Sequence, residues 1–183
     1  MKFVQEEFSY TLEIKKSKFI AHLSPYNDFK KVMKRLQDEH SKARHFVYAY
    51  RFLNEFGQIV ENSSDDGEPK GTSGRPSLKV LSGNELINTA VIIVRYFGGT
   101  RLGTGGLVRA YSDAVNLVIT KGKFKKYEDL KLKKITVKYS DITKVQYQLK
   151  KLGIDIINKD FSNDIVFTLE STKEKLDKFI SSN

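Results

Sequence analysis

Five glycines and three arginines share one short stretch, Arg95-Tyr96-Phe97-Gly98-Gly99-Thr100-Arg101-Leu102-Gly103-Thr104-Gly105-Gly106-Leu107-Val108-Arg109. The types and the spacing define an anion-binding chemistry. Glycines at 98, 99, 103, 105 and 106 remove Cβ atoms, so that backbone N–H groups can converge on a guest, and a helix beginning within the run adds its partial positive charge. Arg95, Arg101 and Arg109 can add bidentate contacts to phosphate. The alternative is purely architectural, with the glycines allowing a tight turn and close helix–sheet packing. No Lys-Ser or Lys-Thr follows at Walker spacing, and Val108 occupies the last glycine position of a G-x-G-x-x-G pattern, so neither nucleotide fingerprint applies.

A second run, Ser63-Ser64-Asp65-Asp66-Gly67-Glu68-Pro69-Lys70-Gly71-Thr72-Ser73-Gly74-Arg75-Pro76, places three carboxylates within four residues. Asp65, Asp66 and Glu68 have the oxygen chemistry for Mg²⁺ or for a general base, although adjacent acids in extended chain point apart and a solvated turn explains the composition equally well. Gly71, Thr72, Gly74 and Arg75 complete this loop, which is expected to lie beside the glycine loop as the second wall of one mixed-charge cleft. His45 can titrate near neutrality, but a single strand histidine is commonly structural.

The elements that must hold these loops are legible from periodicity. Phe8–Ile14 and Phe19–Leu23 read as a hairpin, and Phe29, Val32, Met33 and Leu36 recur at helical spacing behind a cap at Asn27 or Asp28. His45–Phe52 reads as a strand with Phe46, Tyr48, Tyr50 and Phe52 on one face, suited to core packing or to base stacking. A short helix is expected over Ser77–Leu81 after a long loop from Asn62. Ile87–Phe97 contains the continuous apolar run Val91-Ile92-Ile93-Val94 of a strand buried on both faces. The helix after it spans about Gly105–Lys121, with Leu107, Val108, Tyr111, Ala114, Val115 and Val118 on one stripe. The pattern then restarts: a strand Leu130–Tyr139, a helix Ile142–Leu152 closed by Gly153, strands Ile154–Lys159 and Asp164–Glu170, and a helix Thr172–Ile180. That β-α-β-β-α order is a ferredoxin-like half-sandwich without its last strand.

Composition narrows the class. The chain has 183 residues, 39% of them hydrophobic, no Cys, no Trp, three His and a formal net charge of +10. The absent cysteines remove thiolate nucleophiles and Cys-ligated metals, and fit a reducing, cytoplasmic setting. No apolar run reaches the ~18 residues of a membrane span, so no membrane association is expected. Excess positive charge favours acidic partners, nucleic acid above all. All seven arginines, all three prolines and eleven of the twelve glycines precede residue 130, which assigns the special backbone and anion chemistry to the first part of the chain.

The two loops resemble the paired signatures of the Impact/YigZ family, S-D-D-G-E-P-x-G-T-x-G-[KR]-P and R-Y-F-G-G-x-[KR]-L-G-x-G-G-L-[VI]-R-A-Y, and both are matched nearly throughout. Lys16-Ser17-Lys18-Phe19-Ile20 and Arg44-His45-Phe46-Val47-Tyr48-Ala49-Tyr50 extend the resemblance over about residues 5–125. It implies an α+β protein of two domains. Residues 1–125 would form an Impact-type domain, an α/β sandwich like the second domain of the ribosomal S-five protein. Residues 130–183 would form a ferredoxin-like domain like domain V of elongation factor G, with its final strand missing or replaced. Both likenesses point to translation and to RNA. Eukaryotic relatives regulate translation by binding the activator of an amino-acid-control kinase through an additional amino-terminal domain, for which this chain has no room, so that pathway is not expected of it.

The expectation is therefore a cytoplasmic protein associated with RNA or the ribosome, regulatory in translation, with no cofactor, no metal and no catalytic set. The competing readings are a Mg²⁺-dependent enzyme acting on a phosphorylated small molecule and an adaptor for a protein partner.

Overall fold

A computed structural model describes residues 1–161 and 165–181. The strand expected to begin at Asp164 therefore has its first residue outside the described set. Contacts divide the chain into one unit spanning Met1–Tyr127 and a second beginning at Glu128.

The first unit is an antiparallel sheet of five strands in the order β2-β3-β6-β4-β5, namely β2 (Phe8–Ile14), β3 (Ser17–Pro25), β6 (Thr89–Tyr96), β4 (His45–Leu53) and β5 (Ile59–Ser64). A short ribbon pairs β1 (Lys2–Val4) with β7 (Phe124–Lys126), tying the start of the chain to the segment that follows the last helix of this unit. The central position of β6 explains its apolar run: Ala90 to Val94 are fully buried, with helices on both faces. One face packs Val47, Ala49, Val91 and Ile93 into a core shared with Leu81 of α2 (Gly74–Gly83) and Leu107, Ala110, Tyr111, Ala114 and Val115 of α3 (Gly103–Lys121). The other packs Ile92 and Val94 against Val32 and Leu36 of α1 (Phe29–Glu39). Each such buried aliphatic side chain stabilises the fold by roughly 1.5–3 kcal/mol before entropy is counted.

Several expectations change at the element ends. The β2–β3 connection is only Lys15 and Lys16, both in the left-handed region at φ 47° and 63°, the backbone a two-residue hairpin demands. Neither Asn27 nor Asp28 caps α1 with its side chain, because a 3-10 turn over Tyr26–Asp28 already supplies the turn into the helix. Strand β5 takes up the start of the expected long loop, and α2 begins three residues before Ser77. The aromatic row of β4 is half-buried. Its Tyr48 and Tyr50 pack on Phe29, while Phe52 stacks on Tyr26 at 4.0 Å.

The second unit has the order β-α-β-β-α: β8 (Leu130–Val137), α4 (Ile142–Leu152), β9 (Asp155–Phe161), β10 (Ile165–Thr172) and α5 (Lys173–Ser181). Its antiparallel sheet runs β8-β10-β9 around a core of Val137, Leu149, Phe167, Leu169, Leu176 and Phe179. Gly153 adopts φ 63° and ends α4, where the left-handed conformation lets the chain leave the helix without a Cβ clash.

Each unit has its own core, and we propose that the join at Tyr127–Glu128 is a domain boundary at which the first unit is separable. Limited trypsin digestion at the Lys123–Lys131 segment should yield a stable fragment ending there that retains cooperative thermal unfolding; digestion with no such intermediate would argue against separable units.

Candidate functional site

The acidic loop is held by its own carboxylates. Asp66 and Gly67, at φ 42° and 83°, form the centre of a turn closed by the Glu68 N–H to the Asp65 carbonyl at 3.0 Å. Asp65 then accepts four hydrogen bonds, from the N–H groups of Gly71 (2.7 Å), Ser73 (3.1 Å) and Gly74 (2.8 Å) and from the Ser73 hydroxyl (2.7 Å). It thereby caps the start of α2 from eight residues away. Burial alone would raise its pKa, but these donors outweigh burial and hold it below the usual carboxylate range. Asp66 accepts the Phe46 N–H at 2.6 Å, where β5 has already left β4, and its carbonyl lies 2.7 Å from His45 Nδ1.

Glu68 reaches furthest inward. Its Oε1 accepts from the Arg95 guanidinium at 2.5 Å and from the Tyr111 hydroxyl at 2.7 Å. The Arg95 and Glu68 side chains are only 7% and 4% exposed, and Tyr111 is fully buried. The Tyr111 ring stands edge-on to Phe19 with centroids 5.1 Å apart. Burial first, then the adjacent Glu68 charge, push the Tyr111 phenol far above its ordinary pKa, so it serves as a hydrogen-bond donor. Arg95 is thus paired with Glu68, and its charge is neutralised inside the protein. It leaves the set of candidate anion ligands.

Gly98 leaves that set as well. A Cβ there would sit 2.1 Å from the Lys16 carbonyl carbon and 2.2 Å from the Ser17 nitrogen, so only glycine fits, and its N–H donates to Ser17 Oγ at 3.0 Å. Gly74 plays the same role against the Ser64 backbone, and the Thr72 hydroxyl bonds the Pro69 carbonyl at 2.6 Å. Gly99, Gly103 and Gly105 face open space, and Gly99 and Gly103 have φ of 88° and 73°. Gly106 lies against Leu102, where a Cβ would come 3.1 Å from the Leu102 side chain. Arg101 and Arg109 are exposed, with no ion-pair partner among the described residues. Arg75 lies apart, with Gly71, Pro76, Lys79, Val108 and Ser112 along a groove between α2 and α3.

The structure also gathers residues that their spacing in sequence does not bring together. His45 lies opposite Arg95 in the β4–β6 ladder. Around this pair a cleft of about 410 Å³ is lined by Lys42, Arg44, His45, Arg95, Tyr96 and Phe97. Lys16 and Lys18 of the hairpin adjoin it through the Gly98 contact and the Lys18–Tyr96 register. Phe97 is 59% exposed at the rim. His45 is already a candidate from its residue type, and Arg44 belongs to the run that carries the resemblance, whereas Lys42 carries no pattern of its own. No cluster of three potential metal-ligating side chains occurs among the described residues, and the hydrogen bonds above show why the three carboxylates do not form one.

The Glu68 network generates a stability prediction. Glu68→Ala leaves the Arg95 charge buried without its partner and should cost about 3–5 kcal/mol, against about 1–2 kcal/mol for Tyr111→Phe, which loses one hydrogen bond; urea denaturation would show the ranking. Asp65 binds its proton less readily folded than unfolded, so its contribution is present above the ordinary carboxylate range and is lost as pH falls through its lowered native value. Acid titration of Asp65→Asn should show a shallower loss of stability in that window than the parent protein.

Comparison with known proteins agrees with this architecture. The Impact N-terminal domain matches residues 15–119, and a domain of unknown function, DUF1949, matches residues 135–182. An IMPACT family member of Haemophilus influenzae is 33% identical across 92% of this chain and 84% of its own length. The IMPACT family member YigZ of Escherichia coli is 32% identical across 91% and 83%. A solved structure described as that of an hypothetical protein superposes with a TM-score of 0.65 at 29% identity, covering 99% of this chain and 89% of the other.

Proposed function

The chain belongs to the Impact family, and from that premise we propose that it binds the phosphate backbone of RNA at the glycine loop and the adjoining cleft, as a regulator of translation. One observation carries the reading: of the three carboxylates in the acidic loop, Glu68 is buried against Arg95 and Asp65 is engaged by four donors, which leaves Asp66 as the exposed one, while five cations around the site face water unpaired. Lys16, Lys18, Lys42, Arg44 and Arg101 are exposed and have no carboxylate partner among the described residues. Cations presented at a surface can replace the counterions condensed along a polyanion, and the release of those counterions favours binding. Net charge of +10 acts in the same direction at longer range.

The same observation weighs against the Mg²⁺-dependent reading. A carboxylate with its oxygens filled by N–H and O–H donors, as in Asp65, must break those bonds and uncap α2 to take a metal. An adaptor function would instead show partner capture insensitive to salt.

Fluorescence anisotropy with a labelled single-stranded RNA between about 50 mM and 200 mM salt tests the proposal, with affinity expected to fall steeply over that interval. Arg101→Ala should weaken binding similarly for every sequence and make the log–log salt slope shallower by about 0.7. Gly105→Val tests the loop itself. A Cβ at Gly105 meets nothing within 4 Å and the position has no positive φ, so the variant should fold and should lose affinity because the isopropyl group stands where the backbone approaches its ligand. Unchanged affinity and slope in folded Arg101→Ala would remove Arg101 from the site, and unchanged affinity in folded Gly105→Val would remove the loop.

A further inference from the structure

We infer that Phe97 is a stacking platform for one unpaired nucleobase, which makes the site selective for single-stranded over duplex RNA. The inference rests on the RNA-binding reading above and adds its strand preference.

Phe97 combines exposure with fixed surroundings. The residue is 59% exposed, yet the chain on both sides is held in place. On one side Arg95 is buried and held by Glu68, and the Tyr96 hydroxyl lies 3.0 Å from His40 Nδ1. On the other, Gly98 is wedged against the Lys16–Ser17 backbone and bonded to Ser17 Oγ. The Arg95 guanidinium carbon lies 5.9 Å from the Phe97 centroid, so a cation stands next to the ring within the protein. A large aromatic presented from so constrained a backbone has little conformational entropy to lose on binding.

The setting selects the partner. Phe56 is also exposed, at 76%, but it sits at the β4–β5 turn next to Glu55 and lines none of the clefts described above. Phe97 lines the 410 Å³ cleft with Lys42, Arg44 and His45, a volume in the range that holds a small ligand group. An aromatic face beside a cationic rim is the pairing that takes a base and its phosphate together, and base–aromatic stacking tolerates any sequence. In a duplex the base faces are covered by their neighbours, so only an unpaired base can use the ring.

The chain contains no Trp, so full-length Phe97→Trp carries a single indole at the site. Titration with a short single-stranded oligoribonucleotide should quench its emission, and an abasic oligomer with the same number of phosphates should not, at equal occupancy by anisotropy. Phe97→Ala should lose about ten-fold in single-strand affinity with duplex affinity and salt slope unchanged, and Phe97→Tyr should retain binding. Emission unchanged by bound RNA overturns the inference. So does a Phe97→Ala protein that binds single strands normally, that loses both strand types equally, or that loses only a protein partner. If Arg101→Ala and Arg44→Ala weaken binding while the Phe97 variants do not, the stacking role alone fails; if the parent protein binds no RNA at low salt, the RNA-binding reading fails with it.

Discussion

The carboxylate of Glu68 joins the acidic loop to two elements that already share a core, the central strand and the long helix. It comes from the acidic loop, Arg95 from the central strand and Tyr111 from the long helix, and all three side chains are buried where they meet. Taking the two charges out of water is costly, and the pair repays that cost only if its geometry is good and its remaining positions are bonded. The Tyr111 hydroxyl supplies the additional donor, and the Phe19 ring lies 5.3 Å from the Arg95 guanidinium carbon. The gain is positional: the acidic loop, already held by Asp65 and Asp66, is tied to the strand from which the glycine loop departs.

That tie sets the electrostatics of the surface. Asp65 faces the start of α2, Asp66 faces the unpaired end of β4, and Glu68 faces the core. A segment with three carboxylates therefore presents chiefly the exposed Asp66 to a ligand, against several exposed Lys and Arg around it. The glycines divide in the same way. Gly98 and Gly74 exist for close backbone approach, while Gly99, Gly103 and Gly105 leave open space beside the cations. Architecture and anion chemistry were alternative accounts of the run, and different glycines in it satisfy each requirement.

The second unit shows a related economy. Its three strands place β8 at a sheet edge among the described residues, with Leu132 64% exposed and Lys131, Lys133 and Lys134 along it. Charged lysines on an edge strand oppose pairing with a second copy, because each would bring its charge against another of like sign. The apolar side chains that hold the unit together lie instead on the alternate positions of β10, where Ile165, Phe167 and Leu169 are buried.

How much was legible in the sequence follows the range of the interactions. Local ones were readable. The apolar run of β6, the helical stripe of α3 apart from Val108, which is exposed, the left-handed glycine after α4 and the β-α-β-β-α order all follow from periodicity and backbone sterics within a dozen residues, as did the identification of both loops as special. Contacts across long separations were not. Only packing decided that Arg95 pairs with Glu68, since the turn at Asp66–Gly67 aims adjacent acids in different directions. The loss of Gly98 from the anion site needed the hairpin turn 81 residues earlier to be in place. The cleft lined by Lys42, Arg44, His45 and Phe97 arises because β4 and β6 pair antiparallel in one particular register. Which groups the protein has for holding an anion, and which elements carry them, can be read along the chain; which of those groups neutralise one another in the interior and which face water with their charge intact depends on pairing across the sheet, because neighbours along the chain do not set it.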